Sequence, residues 1–89
     1  MNIHTTSNFE KKYRKLRLQN KNLSSSLDKT YKLLRENPHH PSLRLHKLTG
    51  REGTWSISIN RSIRAIFKYV SDGMKFVDLG SHDEVYSKK

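Results

Sequence analysis

The spacing of apolar residues changes once along this chain, from the period of a helix to the period of a strand. In the first part they recur every three or four residues, as on one helix face, at Leu23, Leu27, Tyr31 and Leu34. In the second part they alternate with polar residues, at Trp55, Ile57 and Ile59 and again at Ile63, Ala65, Phe67 and Tyr69. Separate blocks of each period predict an α+β domain, in which helices pack on a sheet.

Turn and cap residues divide these blocks into elements. We expect a short edge strand within residues 1–6, helices over 7–18 and about 23–37, and strands over 55–59, 63–69 and 74–79. Ser7 and Glu10 have the spacing of a capping box, which predicts Ser7 as the first N-cap. Residues 39–53 have no steady period and are expected to form an ordered surface loop. The predicted order is β-α-α-β-β-β, with two antiparallel helices on a small twisted antiparallel sheet.

The size of the chain limits what it can hold. With 89 residues we expect a single domain over residues 1–89, with a thin core. The chain has no cysteine, which excludes disulfides and thiol nucleophiles. Its longest apolar run covers only residues 65–67, and the polar N-terminus lacks the apolar segment of a signal peptide. We therefore expect a cytoplasmic protein that makes no use of a membrane.

The charge is strongly positive and unevenly placed. The net charge is +10, and 11 of the 18 basic residues but only 3 of the 8 acidic ones lie within residues 1–50. Such an excess favours a polyanionic partner, of which nucleic acid is the commonest. The same lysines and arginines also fit a solvated helix face that contacts nothing.

Few motifs for chemistry are present. No His or carboxylate pair has the spacing of a metal site, and the chain lacks a glycine-rich phosphate loop and a nucleophile elbow, so we expect no metal and no cofactor. Arg64 lies in mid-strand, on the sheet face opposite Phe67 and Tyr69. His82 follows the last strand, where an imidazole could exchange protons near neutrality, and Tyr86 could stack on a base. Taken singly, each residue also fits a purely structural role.

Four segments together resemble a known group of proteins. They are residues 45–50 (Leu-His-Lys-Leu-Thr-Gly), 55–59 (Trp-Ser-Ile-Ser-Ile), 63–67 (Ile-Arg-Ala-Ile-Phe) and 78–86 (Asp-Leu-Gly-Ser-His-Asp-Glu-Val-Tyr). In this order, in a short basic chain, they resemble the RelE/ParE superfamily of bacterial type II toxins, and most closely the YafQ- and YoeB-like messenger-RNA interferases. The resemblance covers about residues 43–86 in motif and nearly the whole chain in element order.

The resemblance implies a RelE-like fold and cleavage of messenger RNA without a metal, typically in the A site of the 30S ribosomal subunit. It also implies a cognate antitoxin that silences the toxin. By position, His46 matches the histidine before the Leu-x-Gly loop, His82 and Tyr86 match the C-terminal histidine and aromatic residue, and Arg64 matches an arginine of the middle strand. The chain departs from YafQ-like proteins at Ser58, where they carry a histidine.

The chemistry of such a reaction suggests a role for each of these residues. RNA cleaved through its own 2′-hydroxyl needs a base, a cation on the phosphate and an acid for the leaving oxygen. Our hypothesis makes His46 the base or the residue that orients the 2′-hydroxyl, Arg64 a bidentate phosphate donor and His82 the acid. Tyr86 stacks on or orients the substrate. Phosphate contacts are expected from Lys47, Arg51, Arg61 and Lys68. Which residue is the general base and which the general acid stays open.

Two other functions remain in view. ParE-like members of the superfamily target DNA gyrase and lack an RNA-cutting set of residues. A basic member that binds nucleic acid without catalysis would show affinity that falls with salt, and no product. The joint presence of His46, His82 and Tyr86 favours the nuclease.

Overall fold

The structure, a computed structural model, describes residues 2–86. Its helices and strands are β1 (Asn2–Thr5), α1 (Ser7–Gln19), α2 (Lys21–Glu36), β2 (His46–Lys47), β3 (Thr54–Ser58), β4 (Ile63–Val70), β5 (Gly73–Ser81) and α3 (His82–Tyr86). The predicted α+β class is confirmed, with β2 and α3 as additional short elements. Within residues 2–86, every helix falls short of the length and apolar character needed to cross a bilayer.

The five strands form one sheet in the order β1-β5-β4-β3-β2. Strands β2 to β5 are antiparallel to their neighbours, whereas β1 runs parallel to β5. The sheet is therefore mixed, and our expectation of a wholly antiparallel sheet is wrong at this one edge. The cause is the path of the chain. Helices α1 and α2 connect β1 at one edge of the sheet to β2 at the other edge, and the successive antiparallel strands then return to β5, which lies beside β1.

Gly73 permits the close approach of β1 to β5. A Cβ atom on Gly73 would lie 1.9 Å from the backbone oxygen of Asn2, its partner in the parallel ladder. We expect Gly73→Ala to force β1 away from β5 and to lower the free energy of unfolding by about 3 kcal/mol. Gly53→Ala is the matched control, because Gly53 also has a positive φ of 72° but has no atom within 4 Å of the added Cβ. Equal losses of stability in chemical denaturation would contradict this explanation.

Side-chain caps set the helix ends. The hydroxyl of Thr6 accepts a hydrogen bond from the backbone N–H of Phe9 at 3.1 Å, and Thr6 is thus the N-cap of α1. The prediction of Ser7 was one residue late, because Glu10 pairs with the hydroxyl of Thr5 instead. Asn20 caps α2 through its side chain, 2.6 Å from the N–H of Leu23, so a single residue separates the two helices.

Apolar side chains form clusters on both faces of the sheet. The larger cluster joins α1 and α2 to the sheet through Phe9, Leu27, Leu34, Ile57, Phe67 and Phe76, among others. It lines a largely apolar pocket of about 300 Å³ that is open to solvent. A smaller cluster of Leu48, Ile66 and Val85 lies on the opposite face, with Val77 and Tyr86 beside it. We call this second face the open face, because only a short helix, α3, and the β2–β3 loop cover the strand residues of this cluster.

Candidate active site

The strand register places three polar side chains on the open face. His46 of β2 pairs with Ser56 of β3, and Ser58, two residues further along β3, pairs with Arg64 of β4. Because directly paired residues share a face and alternate residues return to it, His46, Ser56 and Arg64 lie on one surface. Trp55 and Ile57, the intervening residues, pack into the helix-side core.

The guanidinium of Arg64 is held by three hydrogen bonds. Its Nε donates to the hydroxyl of Ser56 at 2.6 Å, and its Nη2 donates to the backbone carbonyl of Arg44 at 3.2 Å. The same Nη2 lies 3.2 Å from Nδ1 of His46. These contacts fix the plane of the guanidinium on the sheet.

Tyr86 completes the arrangement from α3. Its hydroxyl donates to the Ser56 hydroxyl at 2.8 Å and lies 3.3 Å from Nε2 of His46. His46, Ser56, Arg64 and Tyr86 therefore form a closed cycle of polar contacts, which we call the polar quartet. Three of its members were predicted as site residues, and the structure brings those three together.

Ser56 is the member that sequence reasoning missed. Its side chain is fully buried, with 0% of its surface exposed, and it accepts hydrogen bonds from Arg64 and from Tyr86. The available signal was weak, since a serine that alternates with Trp55 and Ile57 in a strand is ordinary. Only its position on the same face as Arg64 could have suggested the contact.

His82 adjoins the polar quartet through an aromatic contact. Its ring centroid lies 4.2 Å from that of Tyr86, with an angle of 60° between the planes. The His82 side chain is 70% exposed, and its Nδ1 is 3.8 Å from a carboxylate oxygen of Asp83. Within residues 2–86 no hydrogen bond joins His82 to the quartet. Its imidazole can therefore contact a substrate only from the solvent-exposed side of Tyr86.

A capping box anchors the short helix that carries His82 and Tyr86. The Ser81 hydroxyl accepts from the backbone N–H of Glu84 at 3.2 Å, and the Glu84 carboxylate accepts from the N–H of Ser81 at 2.9 Å. A side chain at position 80 would crowd that carboxylate, because a Cβ on Gly80 would lie 3.0 Å from Glu84 Oε1. The backbone N–H of Ser81, its hydroxyl and the nearby Lys12 and Lys15 lower the pKa of the Glu84 carboxyl.

Because of this lowered pKa, the stability of α3 depends on pH. A carboxyl whose pKa is lower in the folded than in the unfolded protein stabilises the fold above its unfolded pKa, and that stability is lost as the pH falls through the folded value. We expect the amide resonance of Ser81 to shift in a pH titration with a midpoint below the ordinary pKa of glutamic acid. Glu84→Gln is expected to abolish this transition while keeping an acceptor oxygen. A Ser81 transition at or above the ordinary value, or one that persists in Glu84→Gln, would contradict the capping role.

The four predicted phosphate-binding residues lie outside the quartet. Lys47 pairs with Trp55, so its side chain leaves the edge strand on the helix-side face, away from His46. Arg51 lies in the β2–β3 loop, and Arg61 is exposed in the turn between β3 and β4. Lys68 is exposed on β4, on the face of Arg64 but four residues further along that strand.

Known proteins resemble this chain over nearly its whole length. A family model described as "Bacterial toxin of type II toxin-antitoxin system, YafQ" matches residues 1–87. No curated protein sequence matches the chain.

Among solved structures, the Escherichia coli DinJ–YafQ complex contains a chain of 18% identity and TM-score 0.77, with 96% of this chain and 97% of that one covered. A copper-bound mutant toxin from Helicobacter pylori has 23% identity and a TM-score of 0.77, covering 97% and 99%. The YoeB dimer from Staphylococcus aureus has 18% identity and a TM-score of 0.70, covering 92% and 97%. At these identities the likeness shows a shared fold.

Proposed function

The chain belongs to the YafQ family of bacterial toxins of type II toxin–antitoxin systems, and from this premise we propose that it is an endoribonuclease that cleaves messenger RNA without a metal. The polar quartet is the observation that carries the proposal, because it sets an imidazole, a guanidinium and a phenol within hydrogen-bond distance on one sheet face. RNA supplies its own nucleophile in the 2′-hydroxyl. The protein therefore has to supply only proton transfer and charge stabilisation.

In this mechanism His46 takes the proton of the 2′-hydroxyl and Arg64 stabilises the charge that develops on the phosphate. Arg64 commits Nε and Nη2 to the protein, and its two Nη1 hydrogens have no partner among residues 2–86. The Nη1 group is thus the donor offered to the phosphate before any rearrangement. A bidentate contact with the phosphate, as expected of Arg64, therefore requires Nε or Nη2 to leave a protein partner.

His82 protonates the leaving 5′-oxygen, and Tyr86 orients the substrate. The exposed imidazole of His82 packs against the Tyr86 ring, so a nucleotide placed on the polar quartet meets both groups. Flanking phosphates are contacted by basic residues that lie outside the quartet, namely Lys47, Arg51, Arg61 and Lys68. These outer contacts contribute affinity, whereas the quartet and His82 contribute the chemistry.

We further propose that the message is cut in the A site of the 30S subunit during translation, and that a cognate antitoxin silences the protein. YafQ of E. coli and YoeB of S. aureus have each been solved in complex with a second protein, DinJ and YefM respectively. The net charge of +10 suits both ribosomal RNA and an acidic antitoxin chain.

Induced expression in bacteria tests this function. The wild-type protein is expected to stop protein synthesis before DNA synthesis and to leave cuts within translated messages, while free RNA is cut more slowly. His82→Ala should reduce cleavage by about 10²-fold, because it removes one acid group that lies outside the quartet. His39→Ala, which removes an exposed loop histidine, is the matched control and should behave as wild type. Early DNA breaks would indicate a gyrase-directed toxin, and RNA binding without product would indicate a non-catalytic protein.

A further inference from the structure

Resting on the function proposed above, we propose that the backbone carbonyl of Arg44 and the guanidinium of Arg64 together set which nitrogen of His46 carries the proton, so that His46 becomes a base only when Arg64 engages the RNA phosphate. Arg44 is thereby a positioning residue that acts through its main chain.

Three polar atoms, one of them in the His46 ring, lie within hydrogen-bond distance of one another. Nδ1 of His46 lies 3.2 Å from the Arg44 carbonyl oxygen and 3.2 Å from Nη2 of Arg64, and that Nη2 is itself 3.2 Å from the same carbonyl. Nδ1 can accept a hydrogen bond from Arg64 or donate one to Arg44, but a single nitrogen cannot do both. The proton position on His46 therefore depends on where the guanidinium is.

In the free protein the guanidinium decides the outcome. An arginine side chain is always charged and only donates, so Nδ1 beside it must be the acceptor. His46 then carries its proton on Nε2, which donates to the Tyr86 oxygen at 3.3 Å, while the Tyr86 hydroxyl donates to Ser56 at 2.8 Å. In this arrangement the donors that Arg64, His46 and Tyr86 contribute to the cycle each face an acceptor. In this state Nε2 has no lone pair with which to take a proton.

An RNA phosphate changes the balance by attracting the guanidinium. When Nη2 leaves Nδ1, the Arg44 carbonyl remains as an acceptor, and the favoured form of His46 carries its proton on Nδ1. The exchange is neutral overall, because Nε2 releases one proton to water and Nδ1 takes one from water. The lone pair on Nε2 can then accept the 2′-hydroxyl proton, and the resulting imidazolium keeps its Nδ1–H bond to Arg44.

The backbone at Arg44 is built to hold this carbonyl in place. Arg44 has φ 48° and ψ 47°, a left-handed conformation that a residue with a Cβ atom rarely adopts. Its N–H bonds to the carbonyl of Pro41 at 3.1 Å, which closes a 3₁₀ turn over Pro41–Leu43, and Leu43 is buried in the helix-side core. A residue in a sparsely populated conformation next to a polar site is the expected signature of such positioning.

Nitrogen-15 NMR of histidine-labelled protein tests the proposal without any cleavage assay. We expect free wild type to hold the His46 proton on Nε2, and Arg64→Met to hold it on Nδ1. Arg44→Gly keeps the carbonyl and tolerates the positive φ, so it should match wild type, as should Arg35→Met, which removes a cation from α2. A wild-type proton on Nδ1, or an unchanged proton position in Arg64→Met, would overturn the proposal. If a variant fails to fold, the wild-type protein still tests the proposal, first in the free state and then with bound ligand.

A non-cleavable ligand tests the switch itself. With a 2′-deoxy dinucleotide bound at saturation, the His46 proton of wild type is expected to move from Nε2 to Nδ1. A bound dinucleotide that leaves the proton on Nε2 would refute the switch. The proposed function is tested by a different measurement. Failure to cleave RNA in a ribosome assay would refute the nuclease, but it would not change the proton positions measured in free wild type and Arg64→Met.

Discussion

Arg64→Met is expected to slow RNA cleavage by about 10³-fold, since it removes the only quartet cation that can stabilise charge developing on the phosphate. The loss should fall mainly on the rate of the bound complex, because the outer lysines and arginines still hold the RNA. Single-turnover cleavage of a translated message measures this directly. Arg64→Lys keeps the charge but cannot reproduce the Nε bond to Ser56 and the Nη2 bond to Arg44 together, so it should recover only part of the rate.

Arg35→Met is the control for this loss. Arg35 lies in the last turn of α2 over the ring of Tyr31, and its removal changes the net charge by the same amount as Arg64→Met. Near wild-type cleavage by Arg64→Met, or equal losses in both variants, would show that Arg64 contributes only to the overall charge of the protein.

His46→Gln is expected to slow cleavage by about 10²–10⁴-fold, the usual contribution of a general base. The side chain is exposed at the sheet edge, so the fold should survive, and a thermal melt can verify this. Because His46 and Arg64 act on the same step and contact each other, the double variant should be little slower than the slower single variant. Fully multiplicative losses would indicate that the two residues act independently.

Much of the fold could be predicted because the long elements carry clear periods. The helical spacing through Leu34 and the alternation after Trp55 specify α2, β3 and β4 almost to their observed ends. Strand β2 and helix α3 have two and five residues, which is too short for a period to be visible. The direction of β1 was also out of reach, because an edge strand has the same alternation whether it runs parallel or antiparallel to its neighbour.

The candidate site was predictable only in part, for a physical reason. Arg64 could be placed on its face by alternation, and the resemblance to known toxins pointed to His46 and Tyr86. Ser56 escaped notice because its contribution depends on burial beneath two other side chains. Arg44 escaped notice because it contributes a carbonyl oxygen, which every residue has. Lys47 was predicted as a phosphate contact, and only the observed register with Trp55 shows that its side chain lies on the face opposite the quartet.

The residues of the site differ in how firmly their secondary-structure elements hold them. Ser56 and Arg64 stand on β3 and β4, paired along their length, whereas Tyr86 and His82 stand on a five-residue helix held by the Ser81–Glu84 capping box. Catalytic groups on paired strands are held more precisely than groups on short terminal elements. When substrate binds, backbone movement is therefore expected first at α3, whereas on β4 only the Arg64 side chain is expected to shift.

The central claim is that the polar quartet acts on the 2′-hydroxyl of the RNA itself, and the most direct measurement replaces that hydroxyl. A translated message with a single 2′-deoxynucleotide on the 5′ side of a mapped cut should resist cleavage at that bond alone. The unmodified message should yield a 2′,3′-cyclic phosphate and a 5′-hydroxyl at the same bond. Cleavage of the deoxy-substituted bond at the normal rate would contradict the claim.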